Sequence, residues 1–178
     1  MAIDERQYEV KAVLDSLRAA HGDSEFGYRM QALFAHVLLR IGALVTEVNA
    51  KGHPDVKAEL GDRILKVQVK TTLHGNSGRN YLFSHDDLQG IKSEGKIVGY
   101  LAVLDCAEPV SWILIPEERL HTLVGSAFHI ATFRAERTKT LSDKCADEFL
   151  ELVLAHKERL ATLTFHILAS RAIKGEAM

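Results

Sequence analysis

The chain has 178 residues, 47% of them hydrophobic and 26% charged, the balance of a soluble globular domain with one core and one or two appended helices. That balance excludes a disordered tail, a collagen-like repeat and a small disulfide scaffold. Twenty-two basic and 24 acidic residues leave a formal net charge of −2, so affinity for nucleic acid has to come from the arrangement of charge rather than from an excess of it.

Tyr8, Val10, Val13, Leu14 and Leu17 recur near helical spacing and predict a helix over roughly 4–20, ended by His21-Gly22. Asp23 or Ser24 is placed to cap a second helix running to Arg40 or Ile41. Met30, Leu33, Phe34, Val37, Leu38 and Ile41 cover more than one of its faces, which predicts a largely buried helix stopped by Gly42. Three β-rich runs follow, over 43–48, 55–60 and 63–72, with Leu60-Gly61-Asp62-Arg63 reading as a tight hairpin turn. In the third run Ile64, Lys66, Gln68 and Lys70 share one face, and Leu65, Val67 and Val69 share the other.

The segment 74–80 is a polar, glycine-containing loop. Beyond it the pattern predicts a short strand over 81–83, a short helix over 86–92 and an apolar central strand over 97–104. A paired strand over 110–115, a helical turn opened by Pro116 and a strand over 128–133 follow. From Ser142 to about Ile173 the chain reads as one long helix. Phe149, Val153, His156, Leu160, Leu163 and Ile167 form a 4-3-4-3-4 stripe, flanked by Leu150, Leu154, Ala161 and Leu168. One stripe suits a terminal helix packed on its own sheet; two stripes on a helix of this length exceed what one sheet face covers, which points to a homodimer.

Cys106 and Cys145 lie far apart without a CxxC pattern, as expected for reduced, buried thiols and a cytoplasmic compartment. The charged N-terminus has no apolar signal core, and no stretch approaches the ~20 apolar residues of a membrane span.

The informative window is Gly52-His53-Pro54-Asp55-Val56 followed by Val67-Gln68-Val69-Lys70. Asp55 begins one strand of a hairpin while Gln68 and Lys70 share a face of the next, so two oxygen-bearing groups and one ammonium can meet at a point. Carboxylate and amide oxygens suit Mg²⁺. A metal there neutralises phosphate charge and activates water, and a lysine beside it orients that water. Each residue also has a plainer role open to it: Asp55 as a turn residue, Gln68 and Lys70 as solvent-facing strand residues, His53 as part of the turn. There is no HExxH, no zinc-spaced Cys/His set, no phosphate-binding loop and no G-x-S-x-G.

With Pro54-Asp55 as the PD element and Gln68-Val69-Lys70 as the (D/E)XK element, the chain resembles the PD-(D/E)XK, or restriction-endonuclease-like, nuclease superfamily. Its Q-X-K form is known among relatives of Mrr-type restriction enzymes and some intron-encoded endonucleases. The family core is a helix, a three-stranded meander, a second helix and a further strand, and the order from Glu25 to Leu104 follows it. The resemblance covers that stretch and implies an α/β restriction-endonuclease-like core; with an added N-terminal helix, 1–141 is expected to be the nuclease-like domain, and 142–178 a long C-terminal helix for packing or dimerisation.

It further implies a Mg²⁺-dependent DNA endonuclease of restriction, mobile-element or defence type, with Mn²⁺ as a substitute metal. Asp55 and Gln68 would hold the metal, with Glu47 as a possible second carboxylate, and Lys70 would position the attacking water. Gln31 stands eleven residues before Gly42, where many relatives carry a glutamate; it and His53 are supporting candidates. Arg79 and Asn80 in loop 74–80, and Arg134 and Arg137 before the last helix, are candidate DNA contacts. With Gln31 and Gln68 both neutral, a catalytically inactive module that binds nucleic acid or protein on the same fold is the alternative.

Overall fold

In a computed structural model of the full chain, residues 5–71, 81–107, 109–122, 124, 127–128 and 134–178 are described. Helix α1 (Glu5–Arg40) is followed by β1 (Leu44–Val48), β2 (Val56–Leu60), β3 (Arg63–Thr71) and β4 (Tyr81–Leu82). Then come α2 (His85–Gly90), β5 (Ile97–Asp105), β6 (Ser111–Pro116), a 3₁₀ turn (Glu117–Arg119), β7 (Ala127–Phe128), α3 (Lys139–Leu160) and α4 (Phe165–Ile173). Strands β1, β2 and β3 form an antiparallel meander, β5 joins β3 in parallel, and β6 closes the five-stranded sheet antiparallel to β5. The two short strands β4 and β7 pair separately. The fold is α/β, with the helix–meander–helix–strand core expected from the sequence. Loop 74–80, including Arg79 and Asn80, and residues 129–133 lie outside the described residues.

Alternation in β3 sorts the two sheet faces. Leu65, Val67 and Val69 join Val45, Val56, Ala58, Ala102, Leu104, Trp112 and Leu114 in the main core, under α1, α3 and α4. Trp112 is its largest buried side chain, with ring centroids 4.6 Å from Phe34 of α1 and 5.6 Å from Phe149 of α3. On the opposite face Phe83, Leu88 and Ile91 pack against Leu101, Val103, Ile113 and Ile115. Among the described residues that smaller core covers the β5–β6 half of the sheet. Cys145 sits fully buried in the main core, and burial pushes its thiol up to about 12, so it serves packing rather than chemistry.

Helix α1 is broken where the sequence places the break. Gly22 holds φ 78°, ψ 165°, a conformation a glycine adopts without strain, and helical geometry resumes after it. The C-terminal region departs from expectation. The single long helix over 142–173 is instead two helices, with a turn over 161–164 between them. Thr164 caps α4 by accepting from the Ile167 N–H at 3.4 Å. Arg29, only 5% exposed in α1, donates to the Leu160 carbonyl at 3.1 Å and to the Leu163 carbonyl at 2.6 Å. The carbonyls freed at the break thus find a buried cation, so the chain turns there with no proline or glycine to force it.

The break also redirects the apolar stripes. Phe149, Leu150, Val153, Leu160 and Leu168 are buried within the chain, and Ile167 is left half-exposed. The surplus apolar surface that argued for a two-fold partner is therefore largely used by the chain's own α1 and sheet. Ser142 Oγ, buried in the first turn of α3, accepts from the Leu114 N–H at 2.9 Å, and the Thr138 N–H donates to the Leu114 carbonyl at 2.7 Å, so α3 protects the β6 edge. No described helix is long and apolar enough to cross a membrane.

Helix α2 is held down by a close backbone approach. A Cβ on Gly99 of β5 would lie 1.6 Å from the Ile91 carbonyl oxygen just past α2. Gly99→Ala is expected to lower stability by about 2–3 kcal/mol in urea unfolding, because strand and helix end must separate to admit it. A loss within about 0.5 kcal/mol, the range of an ordinary surface change, would show that the approach is not a constraint.

Candidate active site

The β2–β3 hairpin turns at Gly61-Asp62, where Gly61 supplies φ 63° at the first central position. The register pairs Val56 with Val67. One step further toward the open end of the hairpin, Asp55 stands opposite Gln68. The Asp55 carboxylate is 2% exposed, and its Oδ2 accepts from the Val69 N–H at 2.8 Å, between Gln68 and Lys70. The expected meeting of Asp55 with the Gln68-Val69-Lys70 strand is thus a direct hydrogen bond.

Gln68 is also buried, at 4% exposure, and its Oε1 lies 3.1 Å from His53 Nδ1. His53 reaches this position from the turn that precedes Asp55. A Cβ on Gly90, at the end of α2, would meet the His53 Cβ at 2.5 Å, so the glycine lets the helix rest against the histidine. Lys70 lies half-buried on the same β3 face as Gln68.

Asp87 completes the cluster. Lys70 Nζ is 3.3 Å from both its carboxylate oxygens, and His53 Nδ1 is 3.3 Å from Oδ1. Asp87 is itself fixed, because Oδ2 accepts from the Ser84 N–H and from Ser84 Oγ at 2.9 Å each, while the Asp87 N–H donates to Ser84 Oγ at 3.0 Å. This reciprocal cap starts α2 and aims one carboxylate at two basic side chains. Sequence reasoning did not single out Asp87 as a site residue. The available signal was the spacing Ser84-x-x-Asp87 of a capping box; its pairing with Lys70 is a tertiary contact that spacing alone does not carry.

The electrostatics centre on Asp55. Burial pushes its carboxyl up to about 7, against the downward pull of the Val69 hydrogen bond and of the Lys70 and His53 charges; the Asp87 charge pushes the same way as burial. A carboxylate so placed gains from a further positive charge. Among the described residues no group of three His, Cys, Asp or Glu is set to hold a metal ion. Asp87 is engaged by Lys70 and His53, so the further oxygen donors of the cluster are the Asp55 carboxylate and the Gln68 amide oxygen. That pair fits a hard cation that keeps most of its coordination for water and phosphate, which is the habit of Mg²⁺.

Among the described residues no hydrogen bond ties the other candidates to this cluster. Glu47, on β1, is bonded to Lys57 Nζ at 2.6 Å, and no hydrogen bond among the described residues links it to Asp55 or Gln68. Gln31 is buried in α1, and its Oε1 has no hydrogen-bond partner among the described residues. Arg134 forms an ion pair with Asp105, a fully buried carboxylate at the end of β5, and Arg137 Nη1 donates to the Arg134 carbonyl at 3.3 Å.

No family model matches the chain, and no curated protein matches it. Among solved structures the chain is similar to Hjc, a Holliday junction resolvase from the archaeal hyperthermophile Archaeoglobus fulgidus. The two are 17% identical with a TM-score of 0.43, over 64% of this chain and 98% of that one.

The raised Asp55 pKa has a definite sign in stability. Unfolded, the group ionises near 3.8; folded, near 7. Between those values the folded state holds the extra proton, so its stabilising effect is complete below pH 4 and is lost as pH rises through 7. In metal-free buffer the loss amounts to roughly 4 kcal/mol. Asp55→Asn keeps an acceptor for the Val69 N–H but has no proton to release. Its urea midpoint is expected to gain steadily on the wild type between pH 4 and 8; a constant difference across that range would contradict the assignment.

Proposed function

We propose that the protein is a metal-dependent DNA endonuclease, hydrolysing phosphodiester bonds at the Asp55–Gln68–Lys70 cluster. The observation that carries this reading is the hydrogen bond from the Val69 N–H to Asp55 Oδ2, which brings the carboxylate between the two functional side chains of β3. Asp55 and the Gln68 amide oxygen would hold the cation. When bound, Mg²⁺, or Mn²⁺ in its place, supplies charge neutralisation at the phosphate and an activated water.

The protein's own groups do the rest. Lys70 carries an ammonium whose direction is set by Asp87, so it can hold the attacking water by hydrogen bonding and offset charge on the phosphate as it develops. His53 braces the Gln68 amide, whose oxygen has a second lone pair free for the metal. The water oxygen attacks phosphorus and gives up its proton to solvent, while the P–O bond to the sugar oxygen breaks and that oxygen leaves as a hydroxyl with a proton from solvent. A restriction, mobile-element or defence role suits such an activity.

The second reading, an inactive binding module on this fold, draws on Lys70 and Gln68 being already engaged by Asp87 and His53. A titration of Mg²⁺ and Mn²⁺ against plasmid and branched DNA separates the two. Cleavage that depends on metal supports the nuclease, whereas tight binding without cleavage at any metal concentration supports the module.

Within the nuclease reading, Asp55→Ala and Lys70→Ala are each expected to lower cleavage at least a hundredfold while circular dichroism stays unchanged. Wild-type rates in either variant would refute the site. Gln68→Glu is expected to retain cleavage and to reach half-maximal rate at a lower Mg²⁺ concentration, since a carboxylate replaces the neutral amide.

A further inference from the structure

The sheet face that carries Gln68 and Lys70 continues away from the site along β2 and β3. Its smaller core ends at β5, and over the meander it leaves Leu44 at 55% and Ile64 at 38% exposure. On this open face Lys57 of β2 stands directly opposite Lys66 of β3. Two ammonium groups facing each other across a ladder are destabilising. Only one of them is answered: Glu47, opposite Lys57 on β1, bonds its ammonium at 2.6 Å. Lys66 makes no ion pair among the described residues.

The position of this pair matters more than its charge. Lys66 and Gln68 are alternate residues of one strand, so the Lys57–Lys66 row is the next row down from Asp55 and Gln68 on the same face. A step of two residues along a strand is about 7 Å. That is comparable to the step between neighbouring phosphates of one nucleic-acid strand. Lys70, Gln68 and Lys66 therefore form a line in which the cation at one end belongs to the proposed chemistry, while the other meets no acid among the described residues.

We infer that Lys66 binds the phosphate next to the scissile one on the same DNA strand, with the Glu47–Lys57 pair as the neutralised flank of that subsite. The inference rests on the nuclease reading. It assigns to Lys66 a role in binding and register rather than in the bond-breaking step. The opposed lysines are then a local cost in stability, carried by the free protein and relieved when the strand is bound.

The test uses the full chain with Lys66→Gln and Lys66→Arg. Cleavage kinetics are run in Mg²⁺, binding is measured by fluorescence anisotropy across a salt series, and thermal unfolding is followed for each protein. Lys66→Gln is expected to raise KM roughly three- to tenfold with kcat within twofold. The slope of log K against log salt should shallow by about one, the loss of one phosphate contact. Lys66→Arg should restore both values. Lys66→Gln should also melt no lower than the wild type, because it removes the repulsion with Lys57. An unchanged slope and KM, or a fall in kcat at constant KM, overturns the proposal while wild-type cleavage keeps the nuclease reading. A wild-type protein that neither binds nor cuts DNA overturns both.

Discussion

One hydrogen bond organises the candidate site of this molecule: the Val69 N–H donating to the buried carboxylate of Asp55. It extends the β2–β3 ladder past Val56 by a side-chain contact, so the turn over 49–54 closes onto the sheet instead of splaying from it. It also commits a potential charge to a dry place. The protein surrounds that place with the Val69 N–H, Lys70 and His53, each attractive to a carboxylate, yet burial still dominates. A buried acid left short of positive charge stays open to a cation, and that shortfall links the fold to its proposed chemistry.

A second layer keeps the basic groups in position. Asp87 is bound by Ser84 before it meets Lys70, so the same carboxylate starts α2 and orients the lysine. Helix α2 in turn lies where Gly90 and Gly99 allow backbone to approach backbone or side chain without an intervening Cβ. The arrangement resembles that of metal sites in which outer groups decide how inner ones point. Here the outer groups come from a six-residue helix, too short to be stable alone and stabilised by what it packs against.

The β3 strand was legible because its alternation is strong. Apolar Leu65, Val67 and Val69 face the core, while Gln68 and Lys70 face the site, and the same parity brings Asp55 opposite Gln68. The break in α1 was legible for a local reason as well, since Gly22 tolerates a conformation that other residues avoid. The division of the last helix was not. The spacing of Leu160, Leu163 and Ile167 continues the helical stripe across the turn, and the force that bends the chain is a guanidinium far away in α1. Asp87 escaped for the same cause: its cap is written in neighbouring residues, but its partners Lys70 and His53 lie beyond a loop. Periodicity reports which way a side chain faces, not which distant group will meet it.

The clamp between α1 and the C-terminal helices bears on how the protein is made. Arg29 finds its carbonyl partners 131 and 134 residues later, and His36 Nε2 meets the Leu168 carbonyl 132 residues later, at 2.9 Å. Contacts of such sequence separation form late, because the chain between must first be confined. During synthesis, α1 therefore emerges with a guanidinium bonded to its neighbour Glu25 but not to the distant carbonyls, and with an imidazole short of its own carbonyl, beside apolar surface awaiting its cover. Sealing that helix is a task for a segment made more than 130 residues later. The meander that carries Asp55, Gln68 and Lys70 packs on α1, so it gains its final rigidity only once α3 and α4 have been made.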